Sequence, residues 1–186
     1  MRKLSAFQLM SLDGVVESPN EWAFSYSDDE MERENVAGMA ASDALLLGRA
    51  TYEEFAAFWP YQPGGTQMVD YINNVRKYVV STTLEEPLGW NNSTLIGGDI
   101  AKEISTLKEQ PGKNITITGS ITLVQWLIRV GLLDELQLMV HPVVLGRGRR
   151  LFEDGGEQEI LELASSKSFG TGVVSLAYRP SGESDS

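Results

Sequence analysis

Three short segments put glycine, arginine and hydroxyl side chains where apolar runs end. They are Leu47-Gly48-Arg49-Ala50-Thr51-Tyr52-Glu53, Val80-Ser81-Thr82-Thr83 and Thr118-Gly119-Ser120-Ile121. A glycine at such a turn lets the backbone approach a ligand closely, and the free amides of a starting helix attract anions. Arg49 adds a guanidinium suited to phosphate, while Ser81, Thr82 and Ser120 add hydroxyls. Each segment alone also fits an ordinary structural role: a solvated turn, a polar loop, a helix cap. Together, at the C-terminal ends of strands, they describe one long anionic ligand such as a dinucleotide phosphate. The G-x-G-x-x-G fingerprint is absent, so the usual dinucleotide argument does not apply.

Other chemistry is narrowed by what the chain lacks. It has no cysteine and one histidine, His141, which excludes thiol catalysis, disulfides and a multi-His zinc site. No acidic cluster is spaced for a metal, so none is expected. No G-x-S-x-G elbow serves a triad, and His141, just before Pro142, reads as structural. Asp28, Asp29 and Glu30 open a helix, where they complement its dipole or supply a catalytic carboxylate. Trp22, Phe24, Tyr26, Trp59 and Tyr61 either pack in the core or line a flat apolar substrate site. Arg147, in Gly146-Arg147-Gly148-Arg149-Arg150, either contacts a phosphate or sits solvated in a tight turn. A net charge of −11 disfavours nucleic-acid and membrane-surface partners. With neither a signal-peptide core nor a run of about 20 apolar residues, a cytoplasmic location is expected.

The elements that must position these residues follow from the pattern. Lys3–Leu12 reads as a strand ending at the turn Asp13-Gly14, then helix to about Ala41, with Ser27 or Asp28 as cap. Ala44–Leu47 is a doubly buried strand, and Thr51 is expected to cap a helix over Tyr52–Phe58. Helix from about Thr66, strand over Arg76–Ser81, strand at Thr94–Ile96 and helix from about Asp99 to Glu109 follow. Asn114–Thr118 is strand, Gly119-Ser120 opens a helix closed by Gly131, and Asp134–Val140 is strand. Ile160–Tyr178 reads as two strands joined near Gly170-Thr171-Gly172. The alternation implies an α/β domain with a mainly parallel sheet and an antiparallel C-terminal edge. One domain is expected over 1–179, with a disordered tail over 180–186.

The order of Ser11-Leu12-Asp13-Gly14, Leu46–Glu53, Val79-Val80-Ser81, Gly119-Ser120, Gly131–Leu136 and Pro142–Gly148 resembles the riboflavin-biosynthesis reductase domain family, the RibD C-terminal domain. That family shares the fold of dihydrofolate reductase. The resemblance implies an NADPH-dependent reductase of a small heterocyclic or carbonyl substrate, pterin- or pyrimidine-like, and a homodimer. It assigns the cofactor to Gly48, Arg49, Ala50, Thr51, Ser81, Thr82, Thr118, Gly119, Ser120 and Ile121. Leu12, Asp13 and Gly14 would lie beside the nicotinamide and substrate, with Trp22 and Arg147 as further substrate contacts and Asp13, Asp29 or Glu30 as polar groups. Members carry two glycines before that serine; here the first is Thr118, whose Cβ would crowd the pyrophosphate and restrict the backbone. The same scaffold could instead hold a nucleotide without turnover, as a sensor, or have lost its cofactor.

Overall fold

The computed structural model describes residues 1–152, 156 and 158–181. Its strands are β1 (Leu4–Ser11), β2 (Ser42–Gly48), β3 (Arg76–Val80), β4 (Ser93–Ile96), β5 (Asn114–Thr118), β6 (Glu135–His141), β7 (Leu161–Ser168) and β8 (Val174–Pro180). Its helices are α1 (Asp29–Ala40), α2 (Arg49–Phe58), α3 (Gln67–Asn74), α4 (Ile100–Glu109) and α5 (Ile121–Arg129). All eight strands form one sheet in the order β4-β3-β2-β5-β1-β6-β8-β7. The first six are parallel neighbours, whereas β8 runs antiparallel to β6 and to β7. Pro180 closes β8 and Ser181 bonds to Ile160, so the expected tail does not start at 180; residues 182–186 lie outside the described ones.

Alternation along β2 sorts the core into two layers. Ala44 and Leu46 join the buried cluster with Ile104 and Leu107 of α4 and Leu123, Val124 and Leu127 of α5. Leu45 and Leu47 join Tyr52 of α2, Ile72 of α3 and Val79. A third, smaller cluster sets Met31 of α1 against Met139, Phe169 and Val173. α1 buries only Met31, so its place depends more on its ends than on a broad apolar stripe. Asp28 caps it by accepting the amides of Glu30 and Met31 at 3.1 and 2.9 Å.

Lys77 is the largest fully buried side chain. Its ammonium donates to the carbonyls of Asn73, Val75 and Asn91 at 3.2, 2.9 and 3.2 Å and lies 4.2 Å over the Trp90 ring. Burial pulls its pKa from 10.5 down to about 8. The amine thereby ties the end of α3 to the loop before β4. Replacing it with alanine would leave three carbonyls, that of Val75 buried, short of a donor and open a cavity. We expect Lys77→Ala to lose about 3 kcal/mol in urea unfolding. Between pH 8 and 10.5 the unfolded chain binds this proton and the folded one does not, so wild-type stability should rise relative to Lys77→Met across that window.

Candidate functional site

β2, β5 and β1 are neighbours, and the turns after β2 and β5 meet at one edge of the sheet. The Gly48 amide donates to Ser120 Oγ at 2.9 Å, and the Ser120 amide donates to Thr51 Oγ1 at 2.9 Å. This exchange binds the N-termini of α2 and α5 to each other. It corrects one expectation: α2 begins at Arg49 with Gly48 as its cap residue, and Thr51 serves the other helix. Ala50 is exposed in the first turn of α2, and Ile121 begins α5 half-buried. The first amides of each helix have no intrahelical acceptor, so two positive helix ends converge here.

Gly119 and Ser120 take left-handed angles in succession, with φ of 62° and 48°. A Cβ on Gly119 would lie 3.1 Å from Thr51 Cγ2, so glycine is demanded by both conformation and space. Gln8, buried in β1, fixes this turn by donating to the Gly119 carbonyl at 2.7 Å. Thr118 stays in β5, opposite Phe7 of β1. The unusual angles therefore fall on 119 and 120, and the backbone penalty expected of a threonine at 118 does not arise.

Past β3, Ser81 Oγ accepts the amides of Thr83 and Leu84, each at 3.1 Å, closing a tight polar turn. The Arg49 guanidinium donates to Thr83 Oγ1 at 3.2 Å, which joins this turn to the start of α2. Thr82 is exposed at its tip. Thr83, not singled out from sequence, makes the connection; its neighbouring position in the same hydroxyl run was the available signal.

On the other flank, Asp13 is a clamp. The Ser11 hydroxyl donates to it at 2.7 Å, and the amides of Leu145 and Gly146 do so at 3.1 and 2.8 Å. These bonds, with the Ser11 contribution largest, hold its carboxyl down at about 2. Leu12 donates its amide to the Val143 carbonyl at 2.8 Å and leaves its side chain exposed. Gly14, at φ 87°, accepts the Leu151 amide through its carbonyl at 3.0 Å. The loops after β1 and β6 are thus one unit. Arg147 is exposed between Gly146 and Gly148, and it is Arg149 that reaches α5, donating to Thr122 Oγ1 at 2.8 Å.

The aromatic and carboxylate candidates separate. Trp22 and Tyr26 meet His141 edge-on at 5.4 and 5.7 Å, over the end of β6. His141 is buried, its Nδ1 2.8 Å from the Met139 carbonyl, and burial lowers its pKa, in keeping with a structural histidine. Phe24 and Tyr61 are exposed, and Trp59 packs in the α2–α3 layer. Glu30 pairs with Lys167 of β7 at 2.9 Å, while Asp29 is exposed. Half-buried Phe7 and Leu9 of β1 pack beside Tyr26 and Met31, which adds two residues the sequence did not flag. Among the described residues no group of three potential ligands could hold a metal ion, and no helix is long and apolar enough to cross a membrane.

A mainly parallel sheet with helix N-termini gathered over β2 and β5, and an antiparallel C-terminal pair, defines a protein of the dihydrofolate-reductase-like class. A solved Enterococcus faecalis dihydrofolate reductase, complexed with NADP(H), superposes with a TM-score of 0.60 at 15% identity, covering 97% of each chain. A Shewanella sp. PV-4 structure assigned to riboflavin biosynthesis gives 0.77 at 22% identity, over 97% of this chain and 99% of that one. The Bacillus subtilis (strain 168) protein YyaP, itself uncharacterized, is 30% identical over 93% of this chain and 92% of its own length. The RibD C-terminal domain model matches residues 2–175, and the chain belongs to that family.

Two outcomes follow from this geometry. Gly119→Ala should lower stability by about 1–2 kcal/mol in thermal unfolding, since a Cβ is disfavoured in the left-handed region and meets Thr51. The Leu145 and Gly146 amide resonances should hold their positions as pH falls past 3.8 and move only near 2, where Asp13 takes up its proton and the clamp is lost.

Proposed function

We propose that the chain is an NADPH-dependent reductase acting on a small heterocyclic or carbonyl substrate, pterin- or pyrimidine-like. The observation that carries this reading is the pair of helix N-termini joined through Gly48, Thr51 and Ser120. The residues fit a dinucleotide diphosphate: glycine at 48 and 119 lets the two helix starts pack closely against Ser120 and Thr51, and the first amides of α2 and α5 have no intrahelical acceptor and favour an anion. The backbone amide of Arg49, with Ala50, Thr51, Thr118, Gly119, Ser120 and Ile121, would hold the diphosphate. Arg49, Ser81, Thr82 and Thr83 would take the 2′-phosphate that separates NADPH from NADH.

When bound, the nicotinamide supplies the hydride. The chain's own part is placement and exclusion of water. Leu12 and Gly14 flank the ring site, and Trp22 offers an apolar edge to a flat substrate. Asp13 is a positioning residue: its clamp sets the loop that carries Arg147 and Arg149, either of which would meet a substrate phosphate. Of the helix carboxylates, Glu30 is neutralised by Lys167, which leaves Asp29 as the acid nearest in sequence and water as the source of the balancing proton.

A second reading, nucleotide binding without turnover, is favoured by one observation: Asp13, Asp28 and Glu30 are all engaged by other groups. Titration by tryptophan quenching tests both. NADPH should bind saturably and more tightly than NADH, and Arg49→Ala should weaken NADPH by about tenfold, the worth of one charge-assisted contact, while barely affecting NADH. Equal affinity for the two, or no binding, contradicts the proposal. Tight binding with no NADPH oxidation across pterin, pyrimidine and carbonyl substrates would select the second reading.

A further inference from the structure

β5 and β1 are the fourth and fifth of the eight strands, where a mainly parallel sheet is normally covered on both faces. One face is covered: Leu4, Ala6, Ile115 and Ile117 are fully buried in the α4–α5 layer. On the other face Phe7, Leu9, Thr116 and Thr118 are only half-buried. There the α2–α3 layer stops over β2 and β3, and the Met31 cluster covers β6. The middle of this face is left open, and the opening ends at Thr118, beside the Gly119-Ser120 turn.

The side chains around the opening are neutral. Met31 is the buried residue of α1 and packs with Met139. Asn35 and Met39, one and two turns further along the same side of the helix, are half-buried. The carboxylates of α1 are placed elsewhere: Glu30 and Glu34 hold Lys167, and Asp29 and Glu32 are exposed. Gln137 of β6 stands opposite Phe7, while Leu136 and Leu138 on either side of it enter the α4–α5 layer. The Gln137 side chain is half-buried, and its Nε2 donates to Ser175 Oγ at 3.4 Å. That long bond is the one its carboxamide makes among the described residues. Its carbonyl oxygen and one N–H are left for whatever enters the cleft.

We propose that Gln137 sets the specificity of this cleft, which takes an uncharged flat ring with a carbonyl and an N–H side by side and rejects a ring that binds as a cation. The proposal rests on the reductase reading only in supposing that the ring is the group reduced. A carboxamide offers one donor and one acceptor, the complement of a lactam edge. An amidinium edge needs a carboxylate to pair with, and beside Met31 and Gln137 a cation would be desolvated without one. Phe7 and Leu9 supply an apolar floor for the ring.

Equilibrium dialysis with two pteridines of equal size tests this. Pteridine-2,4-dione presents the lactam edge, and pteridine-2,4-diamine presents the basic one. The wild-type chain should bind the dione about tenfold more tightly than the diamine, the worth of a matched pair of hydrogen bonds. Gln137→Leu, close in volume, should abolish that preference. Gln137→Glu should reverse it by placing a carboxylate at the same point, a reversal that a merely structural glutamine would not give. Equal binding of the two rings by the wild-type chain, or binding of neither, overturns the proposal. So does an unchanged preference in Gln137→Leu, or a Gln137→Glu chain with wild-type circular dichroism that gains nothing for the diamine. NADPH binding, followed separately by tryptophan quenching, should be the same in all three proteins. If NADPH binds and the dione is not selected, this proposal falls and the reductase reading stands; selection of the dione through Gln137 without NADPH binding gives the converse.

Discussion

The amide of Gly48 and the hydroxyl of Ser120, with the amide of Ser120 and the hydroxyl of Thr51, hold two helix starts side by side. Much of the rest can be understood as the scaffold for that exchange. β2 and β5 must be neighbours and parallel for the turns to meet, and Gly119 must be glycine for the second turn to fit under Thr51. Gln8 reaches from β1 to hold the turn from beneath. A buried polar side chain spent on one carbonyl is a sign that the position of this loop matters.

Around this joint the chain concentrates cationic groups against its overall charge. A molecule with a net charge of −11 repels phosphate at long range, but the field is screened within about 8–10 Å at physiological salt. Within that distance, two helix ends and the guanidinium groups of Arg49 and Arg149 decide the local sign. Each guanidinium is held by a threonine, Thr83 or Thr122, which limits the entropy lost on meeting an anion. The Asp13 clamp is the counterpart on the other flank. There a carboxylate spends its acceptor capacity on backbone amides and so builds the loop rather than serving as a proton donor.

The architecture was readable because the chain alternates apolar runs with capped helices. Asp28 is the cap of α1, one of the two residues expected, α3 and α4 start beside Thr66 and Asp99 as expected, and Ala44–Leu47 form the doubly buried strand that a continuous apolar run implies. The turns that meet at the sheet edge were readable too, as glycine and hydroxyl residues at strand ends. Partner choice was not. That Thr51 serves α5 rather than α2, that Thr83 rather than Thr82 receives Arg49, and that Arg149 rather than Arg147 reaches α5 all depend on contacts between distant segments. Local propensity carries no information on these. The backbone part of the concern over Thr118 failed for a related reason: the sequence shows a departure from a two-glycine pattern but not which residue bears the positive φ. Lys77 is the clearest miss, since a lysine at the second position of a strand gives no sign that three carbonyls and an indole await it.

The proposed function stands or falls on whether the starts of α2 and α5 form one anion site for a dinucleotide phosphate. The most direct measurement is a backbone amide NMR titration with NADPH. The largest shifts are expected at Gly48–Thr51 and Gly119–Thr122, with a second group at Ser81–Thr83 that is weaker with NADH. Shifts confined to other strand ends such as Gly97 and Gly98, or none at saturating NADPH, would contradict it.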